Sequence, residues 1–277
     1  MRSARPYPGL VTDHSPASSA DLELALRLAD AADRIAMDRF EARDLEISTK
    51  PDRSHVTDAD LAVERAIRGI LETERPDDGV FGEEYGAQGP TDRQWIIDPI
   101  DGTANFLRGV PNWATLISLA VDGVPVVGVV SAPAMHARWW GAIGHGAWGL
   151  RFGEVEPRRL AVSAVADLAD ASFSFQSIAQ WASVGRIPQL LALCGSLWRD
   201  RAIGDMWPYM LLAEGSIDAV AEFGVQEYDL GAHVPIVLEA GGRFTDIDGN
   251  RSISTRSSLA TNGRLHDAFL AELPPVD

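Results

Sequence analysis

Apolar side chains recur at helical intervals in two segments near the start of the chain, residues 21–43 and residues 58–75. This spacing places them on one face of a helix and the charged side chains on the other, so it predicts two amphipathic helices. Ser19 and Thr57 precede the two segments and are candidate N-caps, because a hydroxyl oxygen can accept hydrogen bonds from the first N–H groups of a helix. Residues 46–50, between the helices, are predicted to form a short strand.

Short apolar runs follow the second helix, and their length is typical of strands. The runs lie at residues 79–84, 95–98, 116–121, 124–130, 138–142 and 147–150. Asp122 and Gly123 separate the third run from the fourth and predict a tight hairpin. Residues 86–93 are polar and predict a loop. The first half of the chain is therefore predicted to hold two helices and then a meander of strands, an α+β arrangement.

The second half alternates predicted strands with predicted helices, which indicates an α/β arrangement. The strands lie at residues 172–175, 198–203, 217–222, 244–245 and 259–261, and the helices at residues 187–194, 206–214, 230–240 and 265–273. Residues 151–159 are charged and rich in turn-forming residues, so we place a boundary there between subdomains at residues 20–150 and 151–277. Residues 1–19 are rich in proline, serine and alanine and predict a disordered extension.

Composition narrows the classes of function. The 277-residue chain has 46% hydrophobic and 23% charged residues, which is typical of a folded soluble protein. Its formal net charge of −16 disfavours nucleic acid and anionic membrane as partners. Cys194 is the single cysteine, so the chain forms no internal disulfide, and a reducing compartment such as the cytoplasm is expected. The sequence contains neither an apolar run of ~18 residues nor the pattern of a signal peptide.

The stretch that carries the chemistry is residues 95–106, with the sequence WIIDPIDGTANF. Its apolar start predicts a buried strand that stops at Asp98, and Asp101 follows in the turn. A turn through Gly102 and Thr103 directs backbone N–H groups outward, which suits an anion such as phosphate. Carboxylates suit a hard cation such as Mg²⁺, and a cation is needed because carboxylates repel phosphate. Taken alone, the stretch is also compatible with an ordinary strand and an Asp/Gly turn.

Further acids strengthen the metal hypothesis. Asp60, Glu83 and Asp229 end predicted strands or lie in predicted turns, where a fold can bring distant loop ends together. The histidines do not cluster with these acids along the sequence, which argues against zinc and against a phosphohistidine mechanism. The acids together therefore favour a site for a metal with oxygen ligands.

Two covalent phosphatase mechanisms fail on spacing. Position 200, six residues after Cys194, is aspartate, whereas cysteine phosphatases need an arginine there to hold phosphate. The spacing between Asp98 and Asp101 is one residue too long for an aspartyl-phosphate loop. A water activated by the metal is therefore the expected nucleophile.

Residues 82–84 (GEE), residues 95–103 (WIIDPIDGT) and the element around Asp229 that precedes residues 239–242 (EAGG) resemble the inositol monophosphatase family of Mg²⁺-dependent, lithium-sensitive phosphatases. The resemblance covers residues 20–273. It implies a layered α-β-α-β-α sandwich, which agrees with the mixed α+β and α/β pattern described above. It also implies a homodimer.

The same resemblance implies roles for individual residues. The implied ligands for roughly two to three Mg²⁺ ions, or for Mn²⁺, are Glu83, Asp98, the carbonyl of Ile100, Asp101 and Asp229. The implied phosphate and substrate contacts are Asp101, Gly102, Thr103, Arg201, Asp205, Glu222 and Asp229, and the implied catalytic residues are Asp60, Thr103 and Glu83. Thr103 would orient the attacking water while Asp60 polarises its hydroxyl. Alternatively, Asp60 is an acid of the first helical turn, favoured there by the helix dipole.

Within the family, residues 108–119, 138–140 and 198–205 look most like actinobacterial histidinol-phosphate phosphatases of histidine biosynthesis. Histidinol carries an ammonium group and a titratable imidazole, so the acids Asp205 and Glu222 suit it as a substrate. Asp205 is alternatively an N-cap of the helix predicted from residue 206. The alternative functions are hydrolysis of inositol phosphate or another small sugar phosphate, and a non-catalytic relative, which the complete acidic set disfavours.

Overall fold

The computed structural model describes residues 17–42, 47–49, 55–151 and 153–273. The helices are α1 (Ser19–Ala42), α2 (Asp58–Glu74), α3 (Thr103–Leu107), α4 (Ile178–Ser183), α5 (Ile187–Ser196), α6 (Trp207–Ala213), α7 (Glu227–Leu230), α8 (His233–Glu239) and α9 (His266–Glu272). The strands are β1 (Ile47–Thr49), β2 (His55–Thr57), β3 (Gly79–Gly82), β4 (Gly86–Gln88), β5 (Arg93–Asp101), β6 (Ala114–Val121), β7 (Val124–Ala132), β8 (Ala137–Ala142), β9 (Gly146–Leu150), β10 (Arg158–Arg159), β11 (Ser172–Ser174), β12 (Arg199–Arg201), β13 (Ala219–Phe223), β14 (Arg243–Thr245) and β15 (Ser257–Thr261). Among the described residues, no helix combines the length and the apolar character needed to span a membrane.

Two large sheets alternate with layers of helices. The first sheet has eight strands in the order β10-β9-β8-β7-β6-β5-β3-β4, and the second has five in the order β12-β11-β13-β15-β14. Helices α1 and α2 pack on the outer face of the first sheet, α6 and α8 lie between the sheets, and α4, α5 and α9 cover the second sheet. The predicted layered α-β-α-β-α sandwich is therefore confirmed.

Strand β5 shows why the central stretch contains so few polar residues. Trp95 and Ile97 face the helices α1 and α2, whereas Ile96 faces the layer between the sheets. A strand that is covered on both faces has no solvent-facing positions, so its sequence reads as a continuous apolar run rather than an alternation. The burial of both faces leaves the end of β5 as the place where its polar residues can function.

Several local predictions are confirmed. Thr57 caps α2, since its hydroxyl oxygen accepts hydrogen bonds from the N–H groups of Ala59 and Asp60. Asp122 and Gly123 have positive φ angles of 50° and 78°, as a two-residue hairpin of the mirror-image type requires. The predicted strand at residues 46–50 corresponds to β1.

Other local predictions are wrong in their bounds. The cap of α1 is Ser18 rather than Ser19, because the N–H of Asp21 donates to the Ser18 hydroxyl at 3.2 Å and Ser19 is already helical. Within residues 86–93, which were predicted to be a loop, the short strand β4 pairs with β3 at the edge of the sheet. Helix α4 was missed because six residues are too few to show a helical period.

The predicted helix over residues 230–240 is divided into α7 and α8. A capping box at Gln226 and Asp229 begins α7 earlier than the apolar periodicity indicates. Strand β5 also continues to Asp101 instead of ending at Asp98, with a register shift against β6 between these two residues.

The subdomain boundary at residues 151–159 stays a prediction. The short strand β10 lies in this segment and pairs with β9, so the first sheet extends into it. The predicted N-terminal extension falls outside the described residues up to residue 16, while Ala17 is buried and its carbonyl lies 2.7 Å from Nε2 of His145.

Candidate metal and phosphate site

Three carboxylates converge where β5 ends and α7 begins. Oxygen atoms of Asp98, Asp101 and Asp229 all lie within 4.8 Å of one another. In a regular strand, side chains three residues apart point to opposite faces. The register shift after Asp98 removes this opposition, so both aspartates of β5 can face the same site. Asp98 is further fixed because its Oδ1 accepts a hydrogen bond from the Ile100 N–H at 3.0 Å.

Asp229 is held in place by the start of its own helix. Its Oδ2 accepts a hydrogen bond of 2.6 Å from the backbone N–H of Gln226, the N-cap of α7. The second oxygen can then face the aspartates of β5. The local sequence thus orients a side chain from a distant part of the chain toward the end of β5.

The cluster is electrostatically unfavourable without a cation. Burial raises the pKa of Asp98 well above its usual range, and the charges of Glu83, Asp101 and Asp229 raise it further. Burial also raises the pKa of Asp101, with added repulsion from Asp205, although a hydrogen bond from the Met206 backbone N–H opposes the shift. A divalent cation would remove this repulsion.

The donor set fits such a cation. Within the described part of the chain, Oδ2 of Asp101 is buried and has no hydrogen-bond partner. Burying a carboxylate oxygen without a partner costs free energy, and coordination of a metal ion is one of the few ways to give it a partner. Because the converging groups are all carboxylates, they suit Mg²⁺ or Mn²⁺ better than a softer metal.

Glu83 lies beside the three-carboxylate cluster. It follows the last residue of β3, which pairs in parallel with β5, and its N–H donates to the carbonyl of Ile97 at 3.1 Å. The carboxyl ends of parallel neighbours lie at the same edge of the sheet. Its charge raises the pKa of both Asp98 and Asp60, so the three carboxylates lie in the same region of the structure.

The turn after the aspartates requires glycine at one position. Gly102 has a φ of +86°, and a Cβ there would lie 2.9 Å from the carbonyl oxygen of Asn112. Helix α3 begins at Thr103, and the N–H groups of Asn105 and Phe106 donate to the carbonyl of its N-cap, Gly102. The N–H groups of Thr103 and Ala104 come before the first carbonyl of the helix that could accept them. The Thr103 hydroxyl donates to the Ile100 carbonyl at 2.9 Å, and this carbonyl is itself one of the predicted ligands.

Asp60 does not make the predicted contact with Thr103. Its Oδ2 accepts hydrogen bonds from the N–H of Thr57 at 2.8 Å and from the Thr57 hydroxyl at 2.6 Å, and the single hydroxyl proton of Thr103 is directed to Ile100 instead. The alternative role in the first turn of α2 is therefore realised. Among the described residues Oδ1 of Asp60 is buried without a partner, and burial together with the charge of Glu83 raises its pKa to about 6.

Asp205 lies on the other side of Gly102. A Cβ on Gly102 would be 3.3 Å from Cγ of Asp205. Oδ2 of Asp205 accepts hydrogen bonds from the side-chain amides of Asn105 at 2.7 Å and Asn112 at 3.3 Å. The N-cap of α6 is Met206, without a side-chain cap, so the alternative assignment of Asp205 as the cap is wrong. The reason is its φ of +59°, which turns the side chain toward the two asparagines.

Glu222 is buried on β13, near Tyr209 of α6. Burial raises the pKa of Glu222 to about 8, and the charges of Asp229 and Asp205 add to the shift. Arg201, the last predicted substrate contact, lies on the exposed edge strand β12, where its Nη1 donates to the carbonyl of Asp200 at 2.6 Å. The structure therefore brings Asp98, Asp101 and Asp229 together at the end of β5, places Asp205 beside Gly102, and leaves Arg201 at the rim of the second sheet.

A comparison with known families agrees with this geometry. The sequence model of the inositol monophosphatase family matches residues 18–276. The chain belongs to this family. The family assignment and the fold class predicted from the sequence are both confirmed.

Named members of the family resemble the chain over almost its full length. The histidinol-phosphatase of Mycobacterium tuberculosis is 53% identical over 92% of this chain and 98% of its own. The histidinol-phosphatase of Streptomyces coelicolor is 51% identical, over 91% of this chain and 96% of its own. An inositol monophosphatase structure from Zymomonas mobilis superposes with a TM-score of 0.80 at 33% identity, covering 93% of this chain and 99% of its own. These matches confirm that the chain is a phosphatase of the inositol monophosphatase family.

The sequence did not reveal the residues that hold Asp205 in place by hydrogen bonds. Asn105 lies inside the central stretch and was not assigned a role, although it is the stronger partner of Asp205. Asn112 and Gln176 come from separate segments, and Gln176 Oε1 accepts a hydrogen bond from the Asp205 N–H at 2.8 Å. No spacing in the sequence relates these three residues to Asp205. Asn105 and Asn112 become its partners because the positive φ of Asp205 turns its side chain toward them, and this angle is visible only in the structure.

Proposed function

We propose that this protein hydrolyses histidinol phosphate to histidinol and phosphate in histidine biosynthesis, with Mg²⁺ as its cofactor. The observation that carries the choice of substrate is the second group of acids, Asp205 and Glu222. Both lie close enough to Asp101 to raise its pKa, and Asp205 lies beside Gly102, so we expect them to meet the alcohol half of the substrate. The names of the relatives from Mycobacterium tuberculosis and Streptomyces coelicolor support the same substrate.

The residues proposed to hold roughly two to three Mg²⁺ ions, with Mn²⁺ as a substitute, are Glu83, Asp98, the Ile100 carbonyl, Asp101 and Asp229. When bound, the metal would act as a Lewis acid toward the phosphate and lower the pKa of water. Asp98, Asp101 and Asp229 supply oxygens within 4.8 Å of one another, which is the direct support for this ligand set.

The phosphate group would lie against the turn at Gly102 and Thr103. The backbone N–H groups of Gly102 and Thr103 would donate to the phosphate oxygens, with Asp101 and Asp229 beside them. We assign the attacking water to the Thr103 hydroxyl, which turns away from the Ile100 carbonyl to orient it. Asp60, with its buried free Oδ1, then accepts the hydroxyl proton of Thr103 in a hydrogen bond, and Glu83 completes the catalytic group.

The alcohol half of the substrate distinguishes histidinol phosphate from neutral sugar phosphates. Asp205 and Glu222 would accept charge-assisted hydrogen bonds from the ammonium and the imidazolium of histidinol. A cationic group bound beside Glu222 would favour its ionised form and so offset the effect of burial on its pKa. A hydrogen bond between two charged groups contributes more than one to a neutral hydroxyl. Arg201 would contribute at the rim, where its guanidinium is exposed and positively charged.

A second candidate is the hydrolysis of inositol phosphate or another small sugar phosphate. It is supported by the similarity to the inositol monophosphatase structure from Zymomonas mobilis. The same metal and phosphate groups would serve this reaction, so the two candidates differ only in the groups that meet the alcohol. A non-catalytic relative is disfavoured because Glu83, Asp98, Asp101 and Asp229 are all present.

We further propose that the enzyme acts as a homodimer in the cytoplasm. Ile178, Leu191 and Trp198 are all at least 64% exposed and lie on or beside α4, α5 and β12. A second copy of the chain could cover these apolar side chains. The single cysteine, Cys194, agrees with a reducing compartment.

A substrate panel tests the proposed function. Phosphate release is measured with Mg²⁺ on histidinol phosphate, inositol monophosphate and fructose bisphosphate, and kcat/KM is compared. We expect histidinol phosphate to be hydrolysed with a kcat/KM at least about 10-fold above the others, as one charge-assisted hydrogen bond would give. An Asp98→Asn preparation detects any contaminating phosphatase. A higher kcat/KM on inositol monophosphate would select the second candidate.

A further inference from the structure

Glu64 is a fully buried acid on α2, one helical turn after Asp60, and it is not among the proposed metal, phosphate or substrate contacts. Its Oε2 accepts a hydrogen bond from the backbone N–H of Glu84 at 2.8 Å, and its Oε1 accepts one from the N–H of Tyr85 at 3.2 Å. Arg68 Nε donates to the same Oε1 at 2.8 Å. A buried carboxylate therefore holds the backbone of the turn that follows Glu83.

One further hydrogen bond and one glycine complete this arrangement. Arg68 Nη2 donates to the carbonyl of Gly86. Glu64 therefore bonds the N–H groups in the middle of the turn over residues 83–86, and Arg68 bonds the carbonyl at its end. A Cβ on Gly82 would lie only 1.9 Å from Oε1 of Glu64. Glycine precedes Glu83 because the carboxylate of Glu64 occupies the space that a side chain would need.

The backbone of the turn is thus held by hydrogen bonds from three consecutive N–H groups, those of Glu83, Glu84 and Tyr85. Glu83 donates its own N–H to the Ile97 carbonyl at 3.1 Å, and the next two N–H groups donate to Glu64. With its backbone fixed on both sides, Glu83 loses freedom to leave the edge of the sheet where Asp98 and Asp60 lie. Groups that fix a metal ligand from behind contribute to the affinity of the metal site.

We infer that Glu64 is a positioning residue that holds Glu83 in place for divalent metal binding. This inference rests on the proposed function, because it takes Glu83 as a metal ligand. It adds that the affinity of the site depends on a carboxylate that touches no metal itself. The pair Glu64 and Arg68 acts through the backbone of residues 84–86.

Glu214 provides a matched control. It is also a buried carboxylate, it pairs with Arg151 at 2.6 Å and with Arg158 at 2.9 Å, and it accepts a hydrogen bond from Trp139 Nε1 at 2.7 Å. Its partners lie on or near β8 and β10 and include none of the proposed metal ligands. Losing the charge at either acid should therefore lower stability, but only the loss at Glu64 should weaken the metal site.

The experiment is calorimetric titration of Mn²⁺ into full-length protein freed of metal with EDTA and then dialysed. Glu64→Gln keeps the shape of the side chain but cannot accept from both N–H groups and Arg68 as a carboxylate does. We expect its Mn²⁺ dissociation constant to rise at least about 10-fold, while Glu214→Gln binds Mn²⁺ as the wild type does. Both variants should melt below the wild type in EDTA. The activity of Glu64→Gln should recover toward the wild-type kcat at saturating metal.

An unchanged Mn²⁺ dissociation constant in folded Glu64→Gln would overturn the inference and leave Glu64 with a purely structural role. If Glu64→Gln does not fold, Arg68→Lys gives the same test at a partly exposed position. We expect a smaller increase in its Mn²⁺ dissociation constant, and an unchanged constant would again contradict the inference. Asp98→Asn separates the two levels. Wild-type Mn²⁺ affinity in Asp98→Asn would refute the proposed metal site, whereas lost binding there with normal binding in Glu64→Gln would refute only the positioning role.

Discussion

The side-chain amide of Asn105 donates a hydrogen bond of 2.7 Å to Oδ2 of Asp205, which joins the central stretch to the loop before α6. Asn112 donates to the same oxygen, and Gln176 accepts from the N–H of Asp205. With three partners, Asp205 is fixed beside the turn at Gly102. An acid held this firmly next to the proposed phosphate site is available to select among the alcohols of different phosphate esters.

Asp205→Asn should therefore change selectivity. We expect kcat/KM on histidinol phosphate to fall by about 10- to 150-fold, the value of one charge-assisted hydrogen bond, and hydrolysis of a neutral sugar phosphate to change little. The asparagine oxygen can still accept from Asn105, so the melting temperature should stay close to that of the wild type. The exposed Asp170 serves as a control through Asp170→Asn. Equal losses on both substrates would place Asp205 in the shared machinery.

Thr103 should affect the chemical step rather than binding. Its backbone N–H survives the change to alanine, whereas its hydroxyl, proposed to orient the water, is lost. We expect Thr103→Ala to lower kcat by on the order of 100-fold with little change in KM, and Thr103→Ser to keep most of the activity. Steady-state kinetics on histidinol phosphate separate the two parameters. A raised KM with an unchanged kcat would make Thr103 a binding residue.

Removing one charge from the cluster should stabilise the metal-free protein. Asp98 is buried among Glu83, Asp101 and Asp229, which disfavours its ionised form. An asparagine side chain at this position would remove that repulsion and still accept from the Ile100 N–H. In EDTA, Asp98→Asn should melt at least about 2 °C above the wild type, as ~1 kcal/mol would produce in a protein of this size, and it should gain nothing from added Mg²⁺. The exposed Asp77→Asn should melt like the wild type, and a lower melting temperature for Asp98→Asn would refute the repulsion.

His266 should make the protein less stable in acid. Burial lowers its pKa to about 4, and its ring nitrogens contact the hydroxyls of Thr245 at 3.0 Å and Thr261 at 3.1 Å. The unfolded state, with an ordinary histidine pKa of about 6.5, binds more protons between these two values. The contribution of neutral His266 to stability is therefore complete above pH ~6.5 and is lost progressively as the pH is lowered toward ~4. Buried His233, with a pKa of about 3, acts in the same direction.

Urea unfolding in EDTA at pH 7.5 and pH 5 measures this effect. Between pH 7.5 and pH 5, the free energy of unfolding of the wild type should fall by about 2 kcal/mol more than that of His266→Gln, because glutamine does not titrate. Comparing variant with wild type cancels the opposite contribution of the acidic cluster, whose raised pKa values favour the folded state in acid. His136 is exposed, so His136→Asn should lose as much as the wild type. Equal losses in His266→Gln and wild type would show that His266 is not held neutral.

Much of the fold could be predicted from local patterns. The apolar periodicity of α1 and α2, the Asp122-Gly123 hairpin and the cap at Thr57 each depend on residues close in sequence, and the structure contains all of them. The convergence of Asp98 with Asp101 could also be anticipated, because one strand end carries both. Asp229 was a candidate because it lies in a predicted turn, but its specific role as a ligand came from the family resemblance, since the sequence does not show which loops meet.

The missed features depend on contacts between distant segments. Glu64 has the spacing of an ordinary acid on a helix, and its partners are backbone N–H groups 20 and 21 residues away, which have no sequence signature. The predicted contact between Asp60 and Thr103 is not formed in the structure, because each side chain bonds a residue three positions away, Thr57 and Ile100 respectively. The catalytic role of the two residues stays a prediction. The cap assigned to Asp205 failed because its positive φ was not visible in the sequence.

One acidic site is proposed to hold the metal on which the phosphatase activity of this chain depends. The most direct test is phosphate release from histidinol phosphate as metal is removed with EDTA and then returned as Mg²⁺, with Asp229→Asn measured alongside. We predict that the wild type loses activity in EDTA and regains it with Mg²⁺, whereas Asp229→Asn stays nearly inactive throughout although it folds. Wild-type turnover that persists in excess EDTA, or full activity of Asp229→Asn, would contradict the proposed metal site.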